Sequence, residues 1–386
     1  MKRRMFLGSV ASGAAAVTGA GWVQLARAAT EEGISSSHIT IGSTAALTGM
    51  LAGAGIDQNA GITAAFHSIN KAGGIHGREL RLVMKDDGYV PAKSVENIKQ
   101  MLDGNSAFAF MSCIGTANNA AIIPMIEQAG IPYVGPVTGA SSLRQPGQRN
   151  VFHVRASYTD EVTRVTQQLV AMGLQDIAVV YLDNGFGKEV AKDADAAIKA
   201  AQRKSVLTIP VAVDGKNVVQ VVEQVQAAKP TVIFLGTTGT TSTALILELR
   251  NRMPGLPIVG LSVSVISSEL PKLGNALQGL AMSQVFPDAT SLKLESVRNF
   301  HAAMRAAAKE NPGNTSFEGY VNAMVMAEGL RRAGRDLTRD KLRQSLAGMK
   351  QLSVGEMTLG YAGAAPYVAS RYVSLAVLGA NGKRTS

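Results

Sequence analysis

The chain has 386 residues, of which 46% are hydrophobic and 17% charged, with a formal net charge of +10 at pH 7. This length suffices for two domains of ordinary size, and the composition indicates large buried cores and excludes a disordered or fibrous chain. The densest cluster of cations, at 331–339, has helical periodicity. It indicates a solvated helix face and not a nucleic-acid site.

The first 28 residues have the pattern of an export signal. Arg3-Arg4 precedes Met-Phe-Leu-Gly and a weakly apolar stretch, and Ala26-Arg27-Ala28 offers a cleavage site. This predicts a twin-arginine signal peptide at 1–28, with an ordinary secretory signal as the alternative. Cleavage near Ala28 removes four cations and lowers the net charge from +10 to +6. No later stretch has the roughly 18 consecutive apolar residues that span a bilayer, so we expect a periplasmic protein.

Strands alternate with helices up to about residue 150, which predicts a doubly wound parallel sheet. The turns at 113–116 and 136–142 follow neighbouring strands and are rich in small and hydroxyl residues. Such turns meet at the edge where open α/β sheets bind ligands, and a helix start there favours an anionic group. The predicted strands are 39–42, 80–85, 107–112 and 131–135, and the predicted helices are 57–72, 91–102 and 116–126.

The same alternation restarts after residue 150 and indicates a second, similar lobe. Three helical segments and two further strands close the chain. The predicted strands are 151–155, 177–182, 206–213, 231–236, 258–260, 281–286, 357–359 and 372–378, and the closing helices are 291–310, 316–333 and 338–348.

Nothing in the sequence indicates catalysis, a metal or a cofactor. Cys113 is the only cysteine and ends an apolar strand, which favours an inert buried thiol over a catalytic one. The adjacent Asp86 and Asp87 are more consistent with a helix cap and a solvated carboxylate than with acid/base chemistry. The five histidines lack metal-site spacing, and there is no P-loop or G-x-S-x-G motif. We therefore expect a protein that is not an enzyme.

Several motifs occur in a recognisable order from His38 onward. Together they resemble the leucine/isoleucine/valine-binding class of periplasmic solute-binding proteins that serve ABC importers. The motifs are Leu47-Thr-Gly, Asn70-Lys-Ala-Gly-Gly-Ile-His-Gly, Asp86-Asp, Gly115-Thr, Gly130-Ile-Pro, Pro136-Val-Thr-Gly, Phe152-His-Val-Arg, Tyr181-Leu-Asp-Asn-Gly-Phe-Gly and Phe317-Glu-Gly-Tyr.

The resemblance implies a type I periplasmic binding protein, with two doubly wound parallel-sheet lobes that close on a ligand like a hinged clamp. It further implies a monomeric carrier that delivers a small molecule to an inner-membrane permease; a ligand-sensing receptor module of the same fold is the alternative. Three crossings would join the lobes, near Asn150–His153, Ser283–Phe286 and Val354–Glu356. The N-lobe would comprise 38–151 plus 287–354, and the C-lobe 152–284 plus 355–386.

In amino-acid-binding members of the family the ligand is held by two turns, which correspond here to the turns at 113–116 and 136–142. Thr116 and Ala117 stand where a hydroxyl and N–H groups hold the ligand carboxylate. Val137 stands at a carbonyl position, and Thr138 or Gly139 at a hydroxyl position.

Aromatic positions complete the implied pocket. Phe186, from the other lobe, precedes a helix. Tyr89 and Tyr158 are further lining candidates, although loop tyrosines often only cap a core edge. Relatives have tyrosines where this chain has Ala54 and Thr238, so a roomier pocket is expected.

At one position this chain differs from the amino-acid-binding members of the family in a way that changes the expected ligand. Amino-acid binders place an acid after the strand that here ends at Gly260, where it pairs with the ligand ammonium, but this chain has Ser262. Unless Glu269 or Asp183 reaches the pocket, a buried ammonium would lack a counter-charge at a cost of several kcal/mol. The sequence therefore predicts a small polar organic solute, amino acid-like or an organic acid, with preference for one that lacks a free α-ammonium.

Overall fold

The computed structural model describes residues 32–310, 312–361 and 363–379, and the backbone of a short strand at 384–385. The predicted export signal at 1–28 and its cleavage site lie outside these residues. The described residues belong to one compact unit. Within them, no helix combines the length and apolarity needed to cross a membrane.

Strands and helices alternate along most of the chain. The strands are β1 His38–Ala45, β2 Glu79–Asp86, β3 Ala109–Met111, β4 Tyr133–Val134, β5 Val151–His153, β6 Ile177–Leu182, β7 Leu207–Val211, β8 Val232–Gly236, β9 Ile258–Gly260, β10 Leu280–Gln284, β11 Leu352–Val354, β12 Met357–Leu359, β13 Tyr367–Val368, β14 Ser374–Leu378 and β15 Arg384–Thr385. The helices are α1 Ala52–Lys71, α2 Pro91–Asp103, α3 Thr116–Gln128, α4 Tyr158–Ala171, α5 Gly185–Ala200, α6 Val218–Ala228, α7 Gly239–Arg252, α8 Leu270–Leu273, α9 Glu295–Ala306, α10 Asn314–Ala333 and α11 Arg339–Ala347.

Two sheets organise these elements. The first has the order β13-β5-β4-β3-β1-β2 and is parallel throughout. The second has the order β15-β14-β10-β9-β8-β6-β7, and only β14 and β15 run antiparallel to their neighbours. A separate hairpin joins β11 and β12. The prediction of two parallel-sheet α/β lobes is confirmed.

The strand at Val151–His153 belongs to the first sheet, where Val151 pairs with Tyr133. Phe152 packs there against Tyr361 and Tyr367, with ring centroids 5.4 and 4.8 Å apart. The predicted N-lobe limit at 151 is therefore too early, because this strand buries its aromatic residue in the first lobe, and the crossing predicted near Asn150–His153 lies at the end of that segment. The chain crosses after His153.

The last crossing is also displaced. β13 pairs with β5, so the chain near residue 368 still lies in the first lobe, although 355–386 was assigned to the second. The chain leaves the first lobe between β13 and β14 and not at Val354–Glu356. We propose that, among the described residues, the first lobe comprises 38–153 plus 285–310, 312–361 and 363–369, and the second 158–284 plus 374–379 and β15.

Both faces of the first sheet are covered, as expected for parallel strands. Phe110 packs with residues of α2 and α3 on one face, whereas Ala109 and Met111 pack with α1 and α10 on the other. This alternation follows from the two-residue period of a strand. Helices α3 and α10 therefore approach the carboxyl edge of the sheet from opposite faces.

Candidate functional site

A cavity of about 70 Å³ lies between the lobes. Its walls come largely from segments that follow strand ends, because the parallel strands of both sheets direct their carboxyl ends to this cleft. Seven of the residues predicted from the sequence line it: Tyr89, Thr116, Val137, Tyr158, Phe186, Thr238 and Ser262. Ala54 lines it as well.

The other three predicted residues lie behind the cavity wall or between the lobes. Thr138 places its Oγ1 2.8 Å from the Oγ1 of Thr116 and so fixes that side chain. The carbonyl of Gly139 accepts a hydrogen bond of 2.7 Å from the Tyr158 N–H, and a Cβ at this glycine would stand 2.6 Å from the Tyr158 ring. Ala117 faces Gly185 of the second lobe, where an added Cβ would lie 3.6 Å away.

The start of α3 provides the anion-binding geometry. Gly115 has φ +104° and lies so close to Tyr89 that a Cβ would be 2.6 Å from its ring, so only glycine fits. The first hydrogen bond of α3 runs from the N–H of Asn119 to the carbonyl of Gly115 at 2.9 Å. The N–H groups of the residues between Gly115 and Asn119 have no acceptor carbonyl in a preceding helical turn. They form the positive end of the helix dipole.

The aromatic residues form a buried wall. Tyr158 and Phe186 are almost fully buried and contact edge to face, with centroids 5.3 Å apart. The guanidinium of Arg155 lies 5.6 Å from the centre of the Tyr158 ring. Desolvation raises the pKa of Tyr158, so its hydroxyl stays protonated at neutral pH. Tyr158 thus belongs to the cleft and does not merely cap a core edge in water.

A buried ion cluster that the sequence reasoning missed adjoins the cavity. Arg155 donates to Glu161 Oε1 at 3.1 Å and to Glu318 Oε2 at 3.3 Å. Glu161 also accepts from the N–H of Ser262 at 2.9 Å and from the hydroxyl of Ser283 at 2.6 Å. Ser262 in addition bonds the guanidinium of Arg155. The cluster ties together the first crossing, α4 and α10.

Glu318 also lines the cavity, an acid that the sequence reasoning did not consider. The two acids considered from the sequence lie elsewhere: Glu269 pairs with Lys272 at 2.8 Å, and Asp183 with Lys188 at 2.9 Å. Burial raises the pKa of Glu318, and Arg155 acts against that rise. Two of the family motifs contain Glu318 and Arg155, but neither motif indicates that the side chains meet.

Direct contacts hold the lobes together around the cavity. The N–H of Thr240 donates to the carbonyl of Met50 at 3.2 Å. Ser142 donates to Glu189 through its N–H at 2.9 Å and its hydroxyl at 2.7 Å. The N–H of Ser268 donates to Asp57 at 3.3 Å. The cleft is therefore closed.

The residues considered for catalysis have structural roles. Cys113 is fully buried, and desolvation raises the pKa of its thiol to about 11. Asp86 accepts from the N–H of Leu47 at 2.8 Å, and the buried Asp87 accepts from the hydroxyls of Thr44 and Ser94. Across the described ranges, His, Cys, Asp and Glu form no group of three or more suited to a metal ion.

Two parallel-sheet lobes with a cavity between them, at the carboxyl ends of their strands, are the arrangement of a periplasmic solute-binding protein. The profile described as periplasmic binding protein matches residues 38–364, and the chain belongs to that family. Its members bind solutes extracytoplasmically and are not enzymes.

Named relatives agree with this assignment. The chain is 24% identical to the Leu/Ile/Val-binding protein BraC3 of Rhizobium johnstonii, over 86% of this chain and 89% of the relative. A crystal structure of a substrate-binding periplasmic protein from Ralstonia solanacearum has 29% identity and a TM-score of 0.81, covering 89% of this chain and 98% of that one. A benzoate-bound solute-binding protein from R. palustris shares the fold at 17% identity, with a TM-score of 0.78 over 90% of this chain and 95% of that one.

Proposed function

We propose that this protein captures a small carboxylate-bearing solute, amino acid-like or an organic acid, in the periplasm and delivers it to the permease of an ABC importer. The observation that carries the proposal is the closed cavity with the start of α3 and Thr116 at one wall. Similar proteins that bind leucine, isoleucine and valine, and a structural neighbour in complex with benzoate, support a carboxylate as the shared ligand group.

In this proposal the carboxylate is held by the first N–H groups of α3 and the hydroxyl of Thr116. Each hydrogen bond to a charged acceptor contributes about 1.5–3 kcal/mol. The remainder of the solute contacts apolar side chains such as Leu51, Val137 and Phe286, which line the same cavity. Burial of that apolar surface supplies about 25 cal/mol per Å².

Closure follows from the division of the site between the lobes. Thr116 lies in the first lobe, whereas Tyr158 and Phe186 come from the second. A solute that touches both lobes binds the closed state more tightly than the open one and shifts the equilibrium to it. The permease would then recognise the closed, loaded carrier. We further propose export by the signal at 1–28 with cleavage near Ala28, and action as a monomer.

Ligand identification tests the proposal. The mature protein, purified under native conditions, is denatured, and the released small molecules are identified by mass spectrometry. Thermal-shift screening of amino acids and organic acids follows, and calorimetry measures affinities for the hits. We expect at least one carboxylate with a Kd in the micromolar range or below. A complete absence of binding by carboxylates, with tight binding of an uncharged solute, would contradict the proposal.

Transport is tested separately. Deletion of the gene should abolish uptake of the identified solute by intact cells, and the wild-type gene should restore it. Normal uptake in the deletion strain, together with loss of a transcriptional response to the solute, would favour the sensing role instead.

A further inference from the structure

Two polar side chains of the cavity have hydrogen-bonding capacity that the protein leaves unused. The side chain of Glu318 is 10% exposed, and it contacts Arg155 at 3.3–3.4 Å, which is long for an ion pair. Gln284 is 5% exposed, and among the described residues its Nε2 has no hydrogen-bond partner. Both residues line the cavity.

The charge of the buried cluster is unbalanced. One guanidinium, that of Arg155, serves two carboxylates, Glu161 and Glu318. Glu161 has two further donors, the N–H of Ser262 and the hydroxyl of Ser283, whereas Glu318 has Arg155 alone among the described residues. A buried carboxylate is stabilised only by partners, so Glu318 is the member of the cluster that gains most from another donor.

Glu318 lies apart from the place proposed for the ligand carboxylate, which is Thr116 with the first N–H groups of α3. It lies on α10, whereas Thr116 begins α3, and these helices cover opposite faces of the first sheet. Gln284 ends β10 of the second sheet and brings an amide donor from the other lobe. The cavity therefore has two further polar groups besides the start of α3, the carboxylate of Glu318 and the amide of Gln284.

We propose that Glu318 accepts a hydrogen bond from an ammonium or hydroxyl group of the solute, and that Gln284 donates to an oxygen of the same solute. The inference rests on the proposed function and narrows its ligand to carboxylic acids that carry a hydrogen-bond donor. It reverses the sequence-based preference for a ligand without an ammonium, because that preference assumed that no acid faces the pocket.

Calorimetry with acids of matched skeleton tests this specificity. One series is leucine, 2-hydroxy-4-methylpentanoate, 4-methyl-2-oxopentanoate and 4-methylpentanoate. A second series is 4-hydroxybenzoate and benzoate. In at least one series the donor-bearing acids should bind at least tenfold more tightly than the acids that lack a donor.

Substitutions assign the preference to the two residues. Glu318→Gln should reduce the affinity for the donor-bearing acid at least tenfold, and most for an ammonium, while the donor-free acid changes less than threefold. Gln284→Met should weaken binding of the donor-bearing acid about tenfold. Glu310→Gln and Gln278→Met are matched controls at exposed positions and should change neither affinity. If Glu318→Gln does not fold, Glu318→Asp is the second variant, because its shorter side chain keeps the carboxylate but places it farther from the solute. It should reduce the affinity for the donor-bearing acid in the same direction, by a smaller factor.

The outcomes separate this inference from the proposed function. Equal wild-type affinities within each series would overturn the inference and leave the proposed function intact. Equal losses for donor-bearing and donor-free acids in Glu318→Gln would also overturn it, since they would show that Glu318 only supports the fold or closure. Binding of no carboxylate by the wild type would overturn both.

Discussion

Replacement of Arg155 by methionine should destabilise the protein strongly, because it strands two buried carboxylates. Arg155 is 1% exposed and Glu161 is fully buried, and the cation lies 3.1 Å from Glu161 and 3.3 Å from Glu318. Coulomb's law with an effective dielectric constant of about 20 gives an attraction of about 5 kcal/mol for each pair. Repulsion between the glutamates and desolvation of the cation reduce this sum. Removal of one partner from a buried pair costs about 3–5 kcal/mol.

Chemical denaturation of Arg155→Met and the wild type measures this loss, with Arg164→Met, an exposed arginine on α4, as the control. Adding Glu318→Gln to Arg155→Met should recover part of the stability, because one of the stranded charges is removed. The deficit should also be smaller at pH 5 than at pH 7.5. Without the cation, no guanidinium opposes the burial that raises the pKa of Glu318 in the folded chain, so stability falls as pH rises. A loss below about 1 kcal/mol, independent of pH, would refute the reasoning.

Three further predictions concern the cleft. Thr116→Val should weaken binding of the identified solute about tenfold with little change in melting temperature; calorimetry showing unchanged affinity would remove Thr116 from the site. Small-angle scattering should show a smaller radius of gyration with solute than without it, and identical values would argue against hinge closure. Burial raises the pKa of Asp57 from 3.8 to about 6, although the N–H of Ser268 opposes the rise. The protonated Asp57 should therefore stabilise the folded, closed form at low pH, and this stabilisation should disappear as pH rises through about 6. Asp57→Asn should flatten the pH dependence of stability between pH 4 and 7, and an unchanged profile would show that Asp57 does not cause it.

Local patterns in the sequence were sufficient to predict the two-sheet architecture and the side of the cleft that the first lobe forms. Alternating apolar strands and helices predicted parallel sheets, because each pattern reflects burial within its own segment. The turns that contain Thr116 and Val137 could be assigned to one edge, since parallel neighbouring strands must end together. Tyr158 and Phe186, which lie at the starts of helices in the second lobe, were expected in the cleft only because of the resemblance to the family.

The tertiary structure decided what depends on contacts between distant segments. The short apolar strand at Val151–His153 could complete either sheet, and only its pairing with β4 and the packing of Phe152 place it in the first. Glu318 lies in a run of buried residues, Phe317 to Ala323, where helical periodicity does not distinguish one face from another. Its meeting with Arg155, 163 positions away in sequence, depends on the return of the chain to the first lobe after β10. A charge becomes part of a site through such packing, and no local pattern encodes it.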